Sequence, residues 1–337
     1  MIAPQVAEAA ALLQALADGG QVPGLAVRIQ YRGTPLLRAA YGYADLENPV
    51  PASPGTLFRI ASVSKPITAT ALARLVEAGK LRLEDPLEDY VPEFPQRGIH
   101  LEQLAAHTAG LRGYRGKEYA LNKPFSIAES LEIFRDDPLV FRPGKGFLYN
   151  SFDFVLLSLA MERALGIPFH ELVRRYVLEP LGMQDTCMEL PGQLRRGQAR
   201  PYTRGARGFR PSIPVDNRYK LAGGGYLSTV DDICRLGQAY LDRKAVDPVV
   251  AREFLTSREI SGEPTWYGLG WQVSRDAGGR EYYGHVGNAV GGYSNFFVYP
   301  ERELVVAILI NCTDPGLQPM LDTAVEAVHA GIGRVAP

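Results

Sequence analysis

Residues 60–68 read Ile60-Ala61-Ser62-Val63-Ser64-Lys65-Pro66-Ile67-Thr68, and this stretch decides the fold. Residues three apart share a helix face, so a helix beginning near Ser62 sets its hydroxyl against Lys65. Pro66 lacks an amide proton and fits a first helical turn, where donors are unpaired anyway. Apolar residues then recur at helical spacing, Ile67, Ala71, Leu72, Leu75 and Val76, until Gly79 closes the helix. A serine hydroxyl is a weak nucleophile without an adjacent base. A lysine serves as that base when burial favours its neutral form. The helix start also favours a developing oxyanion. The same residues fit a plainer reading, Ser62 as a helix cap, so the tetrad needs company.

Company comes from two later stretches. Residues 142–151 run Arg142-Pro143-Gly144-Lys145-Gly146-Phe147-Leu148-Tyr149-Asn150-Ser151, a loop leading into a helical pattern. Tyr149 there could relay a proton if neighbouring Lys65 lowered its pKa. Gly284-His285-Val286-Gly287-Asn288 lies on an expected strand, and glycine beside a strand admits close backbone approach. No G-x-S-x-G elbow, phosphate-binding loop or dinucleotide fingerprint occurs, and Arg174 stands where a second zinc-protease histidine would fall after His170.

Outward from these motifs the chain reads as α+β. Val6–Leu16 is an expected helix, and Gly24–Tyr31 and Leu36–Tyr43 form a hairpin around Arg32–Gly33–Thr34–Pro35. Proline-punctuated helical segments, such as Ile127–Phe134, Phe152–Ala164 and Phe169–Val177, fill the middle. Another helix, Val230–Leu241, precedes strands at 282–286, 293–299 and 304–310, and a closing helix spans Gly316–Ala330. Consecutive strands with tight turns imply an antiparallel sheet flanked by helices. Residues 1–80 and 221–337 are expected to form an α/β domain, and 81–220 an inserted all-helical one.

The 337 residues carry 36 Lys plus Arg against 37 Asp plus Glu, a net charge of −1. No basic surplus points to nucleic acid. Three cysteines without a C-x-x-C pair suggest neither a zinc site nor a disulfide framework, and no apolar run is long enough for a membrane span. The first basic residue is Arg28, so the start does not read as a signal peptide. The expected location is cytoplasmic as the sequence stands, or periplasmic or secreted where an export signal has been removed.

The three clusters, in this order and spacing, resemble the serine β-lactamase and penicillin-binding protein superfamily, in its class C and esterase-type branch. LAAHTAGL (104–111), GGGYLST (223–229) and GHVGNAVGGYSNFFVYP (284–300) support the likeness. IASVSKPIT, VEAGKL, YVPEFP, FLYNSF and VDNRYKLAGGGYLST look most like the mitochondrial serine β-lactamase-like subgroup and its bacterial relatives. The resemblance implies a β-lactamase-like fold and acyl-enzyme chemistry without metal or cofactor. Ser62 resembles the nucleophile, Lys65 its base and Tyr149 the proton relay. The backbone amides of Ser62 and Asn288 resemble the oxyanion hole, and Ser151, His285 and Gly287 the substrate-binding positions.

Two positions depart from the family pattern. Ser151 stands where asparagine is usual, and Asn150, one residue early, should point elsewhere. His285 replaces a lysine, which exchanges a permanent cation for a group with an ordinary pKa of ~6.5. The expectation is a peptidase or amidase first and an ester hydrolase second, with weak β-lactam turnover and anionic substrates favoured below about pH 6.5. A true β-lactamase or D,D-peptidase, or a filament-forming scaffold with a little-used site, is the alternative. The partner is a small-molecule or peptide acyl substrate, with a homo-oligomer or filament also implied. Loops 117–124 and 193–216 are expected to set specificity.

Overall fold

The computed structural model describes residues 3–333. Strands β1 (Gly24–Tyr31) and β2 (Thr34–Asp45) form the expected hairpin, and β3 (Val50–Pro51) extends it. Late in the chain come β4 (Gln272–Arg275), β5 (Glu281–Ala289), β6 (Gly292–Tyr299) and β7 (Leu304–Ile310). They form one 7-stranded antiparallel sheet in the order β4-β5-β6-β7-β1-β2-β3. Pairing of β1 with β7, Leu25 opposite Ile310 and Tyr31 opposite Leu304, joins segments far apart in sequence.

The longer helices are α1 (Ala3–Asp18), α2 (Ser64–Glu77), α3 (Phe152–Leu165), α4 (Val230–Leu241) and α5 (Gln318–Gly333). Every residue of β7 is buried because both sheet faces are covered. Leu304, Val306, Ile308 and Ile310 pack with Leu13 of α1 and Leu321 and Val328 of α5. Val305, Ala307 and Leu309 face the opposite core, which holds Ile67 and Leu72 of α2, Phe154 and Leu157 of α3, and Leu236 of α4. The side chains alternate with a period of two, so one apolar run serves two cores.

The stretch 81–220 is less uniformly helical than expected. Residues Glu129–Ile133 make a short 3-10 helix, and the helix at Phe169–Val173 runs on as a π turn over Arg174–Leu178. Short strands also occur. Cys187–Met188 pairs with Tyr226–Ser228, and Tyr202–Gly205 makes a hairpin with Gly208–Pro211 and pairs in parallel with Cys312–Thr313. These strands are two to four residues long. The 187–188 strand and the pairing with Cys312–Thr313 form on edges presented by distant segments, a signal that local sequence does not carry, whereas the 202–211 hairpin is local and short. All three cysteines are free, Cys234 and Cys312 buried and Cys187 half-buried. Among the described residues no helix is long and apolar enough to cross a membrane.

Candidate active site

A 3-10 turn over Ala61–Val63 leads into α2, so Ser62 lies two residues before the helix proper and Lys65 in its first turn. Ala61 has φ +47°, a left-handed conformation that costs a non-glycine residue energy. Surrounding bonds hold the turn there: Ile60 N–H donates to the Tyr226 carbonyl, and Ser294 Oγ donates to the Ile60 carbonyl at 2.7 Å. Lys65 Nζ reaches Ser62 Oγ at 3.1 Å and the Gly223 carbonyl at 2.9 Å. The ammonium end lies over the Tyr149 and Phe154 rings, at 4.7 and 5.3 Å from their centroids. Lys65 is fully buried, and loss of hydration lowers its pKa to about 7, against a weaker upward pull from Asp153. Near neutrality a large share of Lys65 is therefore the free amine that proton abstraction needs.

Tyr149 arrives from the loop before α3, and its hydroxyl donates to Ser62 Oγ at 2.8 Å. The LAAHTAGL stretch explains how it gets there. The His107, Thr108 and Gly110 carbonyls accept the amides of Leu148, Gly144 and Val140, which straps the loop in place. A Cβ on Gly110 would lie 2.2 Å from the Phe141 carbonyl oxygen, so this docking requires glycine. The expected lowering of the Tyr149 pKa is not met. Although Tyr149 is 38% exposed, loss of hydration around the hydroxyl outweighs its bond to Ser62, and its pKa is shifted up, not down. The cation that was to lower it is itself half-neutralised. Tyr149 is thus a protonated donor at rest. Asn150 does point elsewhere, capping α3: its Oδ1 accepts the Asp153 amide at 2.9 Å and its Nδ2 donates to Asp153 Oδ2 at 2.7 Å.

Strand β5 carries the third cluster past Ser62. A Cβ on Gly287 would lie 2.5 Å from the Ile60 carbonyl oxygen and 2.3 Å from Ser294 Oγ, so only glycine lets β5 approach the nucleophile turn. Val286 N–H points to the β4 side, where Gln272 Oε1 accepts it at 2.9 Å. Amide directions repeat every second residue, so Asn288 N–H points the same way, beyond the end of the β4 pairing at Gly284. That is the orientation an oxyanion donor needs.

His285 is placed differently from its expected role. It is 1% exposed, its Nδ1–H donates to the Val286 carbonyl at 2.6 Å, and its Nε2 accepts from the Tyr267 hydroxyl at 3.0 Å. Both ring nitrogens are committed. Burial, with Lys65 nearby, lowers its pKa to about 3, so it does not charge near pH 6.5. The expected gain in anionic binding below that pH therefore has no group to produce it.

The cleft beside Ser62 measures about 80 Å³, small for a ligand site, and Ser151, Asn217, Gly223 and Asn288 line it. Tyr114, Tyr119 and Lys220 also line it; Lys220 falls in the VDNRYKLAGGGYLST stretch and Tyr119 in loop 117–124, but none of the three is given a role by the sequence. Loop 117–124 reaches the cleft through Tyr119, whereas 193–216 stops just short of Asn217. Ser151 lies beside the Tyr114 hydroxyl, whose pKa burial raises to about 12. Lys220 is 9% exposed and donates to the Tyr119 carbonyl at 2.5 Å. Burial, then repulsion from Arg59, lowers its pKa to about 8, so at neutral pH it remains mostly charged. A cation thus lines the cleft although β5 carries none. Only the tertiary arrangement of the 114–119 and 217–220 loops could reveal it.

In sequence and fold the chain resembles known proteins. The family model described as Beta-lactamase matches residues 9–330. The mitochondrial serine beta-lactamase-like protein LACTB of Homo sapiens is 28% identical, over 91% of this chain and 76% of its own. Esterase EstB of Burkholderia gladioli is 30% identical, over 94% of this chain and 93% of its own. Among solved structures, the D-amino acid amidase of Ochrobactrum anthropi SV3 complexed with L-phenylalanine amide superposes with a TM-score of 0.86 at 23% identity, over 96% of this chain and 99% of that one. The match spans the nucleophile turn, the Tyr149 loop and β5 alike, and on it the chain belongs to the beta-lactamase family of serine hydrolases.

Proposed function

We propose that the protein hydrolyses amide, peptide or ester substrates through an acyl-enzyme on Ser62. The observation that carries this reading is the convergence on Ser62 Oγ of Lys65 Nζ at 3.1 Å and the Tyr149 hydroxyl at 2.8 Å. Ser62 attacks the substrate carbonyl carbon while neutral Lys65 takes its proton. The negative oxygen of the tetrahedral intermediate is held by the Ser62 and Asn288 amides. Tyr149 gives its proton to the leaving nitrogen or oxygen and is reprotonated from Lys65. Water then attacks the acyl-enzyme, with the same pair accepting its proton and returning one to Ser62. His285 supports β5 through Tyr267 and does not touch substrate.

The narrow cleft and the absence of a β5 cation favour small acyl groups over bulky β-lactams. Lys220 favours an acyl side chain that ends in a carbonyl or carboxylate oxygen. A parallel screen of p-nitrophenyl esters, peptide amides and nitrocefin, with Ser62→Ala as control, tests the reading. Ester or amide turnover well above nitrocefin turnover, lost in the control, is the expected result. Turnover that survives Ser62→Ala would refute it.

A further inference from the structure

One wall of the cleft is held from behind by a buried carboxylate that the steps above leave unused. Glu189, which follows the short strand Cys187–Met188, is 6% exposed. Its carboxylate accepts Arg59 Nε at 2.9 and 3.0 Å, Gln198 Nε2 at 2.9 Å and Asn217 Nδ2 at 3.0 Å. Arg59 stands three residues before Ser62, and its Nη1 donates to the Val290 carbonyl at 2.5 Å, just past Asn288. The ion pair thus ties the Asn217 wall to the turn that follows the Asn288 amide, and both line the cleft. The two amide side chains on Glu189 differ. Gln198 is used at both ends, because its Oε1 accepts the Arg195 amide at 3.0 Å. Asn217 is used at one end only. A carboxylate can only accept, so it takes the NH2 end of the Asn217 amide and turns Oδ1 away from itself. No group among the described residues donates to that oxygen, and it is not enclosed: it opens on the cleft that Asn217 lines. The backbone is held as firmly. Asp216 N–H donates to the Leu121 carbonyl at 3.0 Å, and a Cβ on Gly225 would lie 2.5 Å from the Asn217 carbonyl oxygen.

We propose that Asn217 is a specificity-determining residue for the Ser62 reaction, whose Oδ1 accepts an N–H carried by the acyl chain of the substrate, and that Glu189 is the positioning residue that fixes this oxygen. The inference rests on acylation of Ser62 as proposed above. A free side-chain amide can turn end for end and offer either a donor or an acceptor at the same place. Bound to Glu189, Asn217 offers the acceptor alone. Lys220, on the same wall, can only donate. A substrate N–H placed against Asn217 gains a partner. An ester oxygen in the same position meets a second lone pair and loses its water without replacement. Because Arg59 and Glu189 hold each other, one buried pair sets the separation between Asn217 and the turn after Asn288. The acyl chain is therefore read at a fixed distance from the carbonyl under attack.

The test compares the p-nitrophenyl esters of N-acetylglycine, of O-acetylglycolic acid, where oxygen replaces the N–H, and of N-acetylsarcosine, where a methyl group replaces the proton. Each kcat/KM is divided by the same ester's hydroxide-catalysed rate, which removes intrinsic reactivity. The wild type should then favour the N–H ester about tenfold over either analogue. Asn217→Ala should bring that preference close to one, chiefly by slowing the N–H ester. Glu189→Gln should cut it about threefold, since an amide there cannot accept from every donor around it and lets Asn217 turn. A Glu189→Gln variant that slows all three esters alike would reduce Glu189 to a structural role and overturn that half of the inference. A wild-type enzyme that treats the three esters alike overturns the whole without need of any variant. So does a preference that survives in Asn217→Ala. Ser62→Ala separates the two claims. Turnover that persists in it defeats the acyl-enzyme reading, whereas turnover lost in it, with a preference unmoved by Asn217→Ala, defeats the present inference alone.

Discussion

Lys65 and Lys220 are buried at the same cleft, yet they are held for opposite purposes. Lys65 sits beneath Ser62, donates to Ser62 Oγ and to the Gly223 carbonyl, and has a pKa near 7. Lys220 lines the cleft wall, donates to the Tyr119 carbonyl, and has a pKa near 8, with Asp216 and Glu189 opposing the loss of its proton. The first is of use when neutral, as a base. The second is of use when charged, as an anchor for substrate oxygen. Depth alone does not separate them; what their hydrogen bonds point at does. A lysine bonded to a nucleophile can take its proton, whereas one bonded to a loop carbonyl can only present the protons it has left.

The widest separation of the two should come from removing each amine. Lys65→Met is expected to lower kcat/KM by about 10⁴-fold on every substrate, since it removes the base. Gly287→Ala should cost about 10²-fold, because the added Cβ pushes β5 off the Ile60 carbonyl and displaces the Asn288 amide. Full activity in that variant would mean that β5 does not supply the oxyanion donor. Lys220→Met should raise KM about tenfold for a carboxylate-bearing ester and leave kcat near wild type. Steady-state kinetics on matched esters with and without the carboxylate check this, and an equal effect on both would end the comparison.

Titration sharpens the contrast further. Lys65 loses its proton as pH rises through about 7, so turnover of a neutral ester should climb there and then stay level. Lys220 loses its charge as pH rises through about 8, so KM for the carboxylate-bearing ester should worsen above that. The anionic substrate therefore gives a bell centred between the two values, and Lys220→Met should erase only its alkaline side. The smallest effect concerns His285. With a pKa near 3 it is neutral throughout pH 5–7, so His285→Gln should change the pH dependence of anionic-substrate KM less than about twofold in that range. A larger change would restore His285 as a substrate contact.

Much of the fold was legible because its signals are local. The apolar run at 304–310 and the spacing from Ile67 to Val76 each specify one element, and the structure contains both. The short strand at 187–188 was missed because its partner lies about forty residues away, and the local hairpin at 202–211 because its two strands are only four residues long and lack apolar alternation. The site divides in the same way. Ser62 and Lys65 are neighbours on a single helical face, so three residues of spacing placed them together. Tyr114 and Lys220 come from separate loops, and no spacing rule joins them. The Tyr149 pKa was misjudged in direction for a related reason. A nearby lysine was visible in sequence, but the burial that largely neutralises that lysine was not.

The most direct test of the account is covalent labelling followed by intact-mass and peptide mass spectrometry. A fluorophosphonate or an activated p-nitrophenyl ester is added to wild type, Ser62→Ala and Lys65→Met at pH 7.5. The account expects one adduct per wild-type chain on the peptide containing Ser62, none in Ser62→Ala, and strongly slowed labelling in Lys65→Met. An adduct on another residue, or equal labelling of wild type and Ser62→Ala, would contradict it.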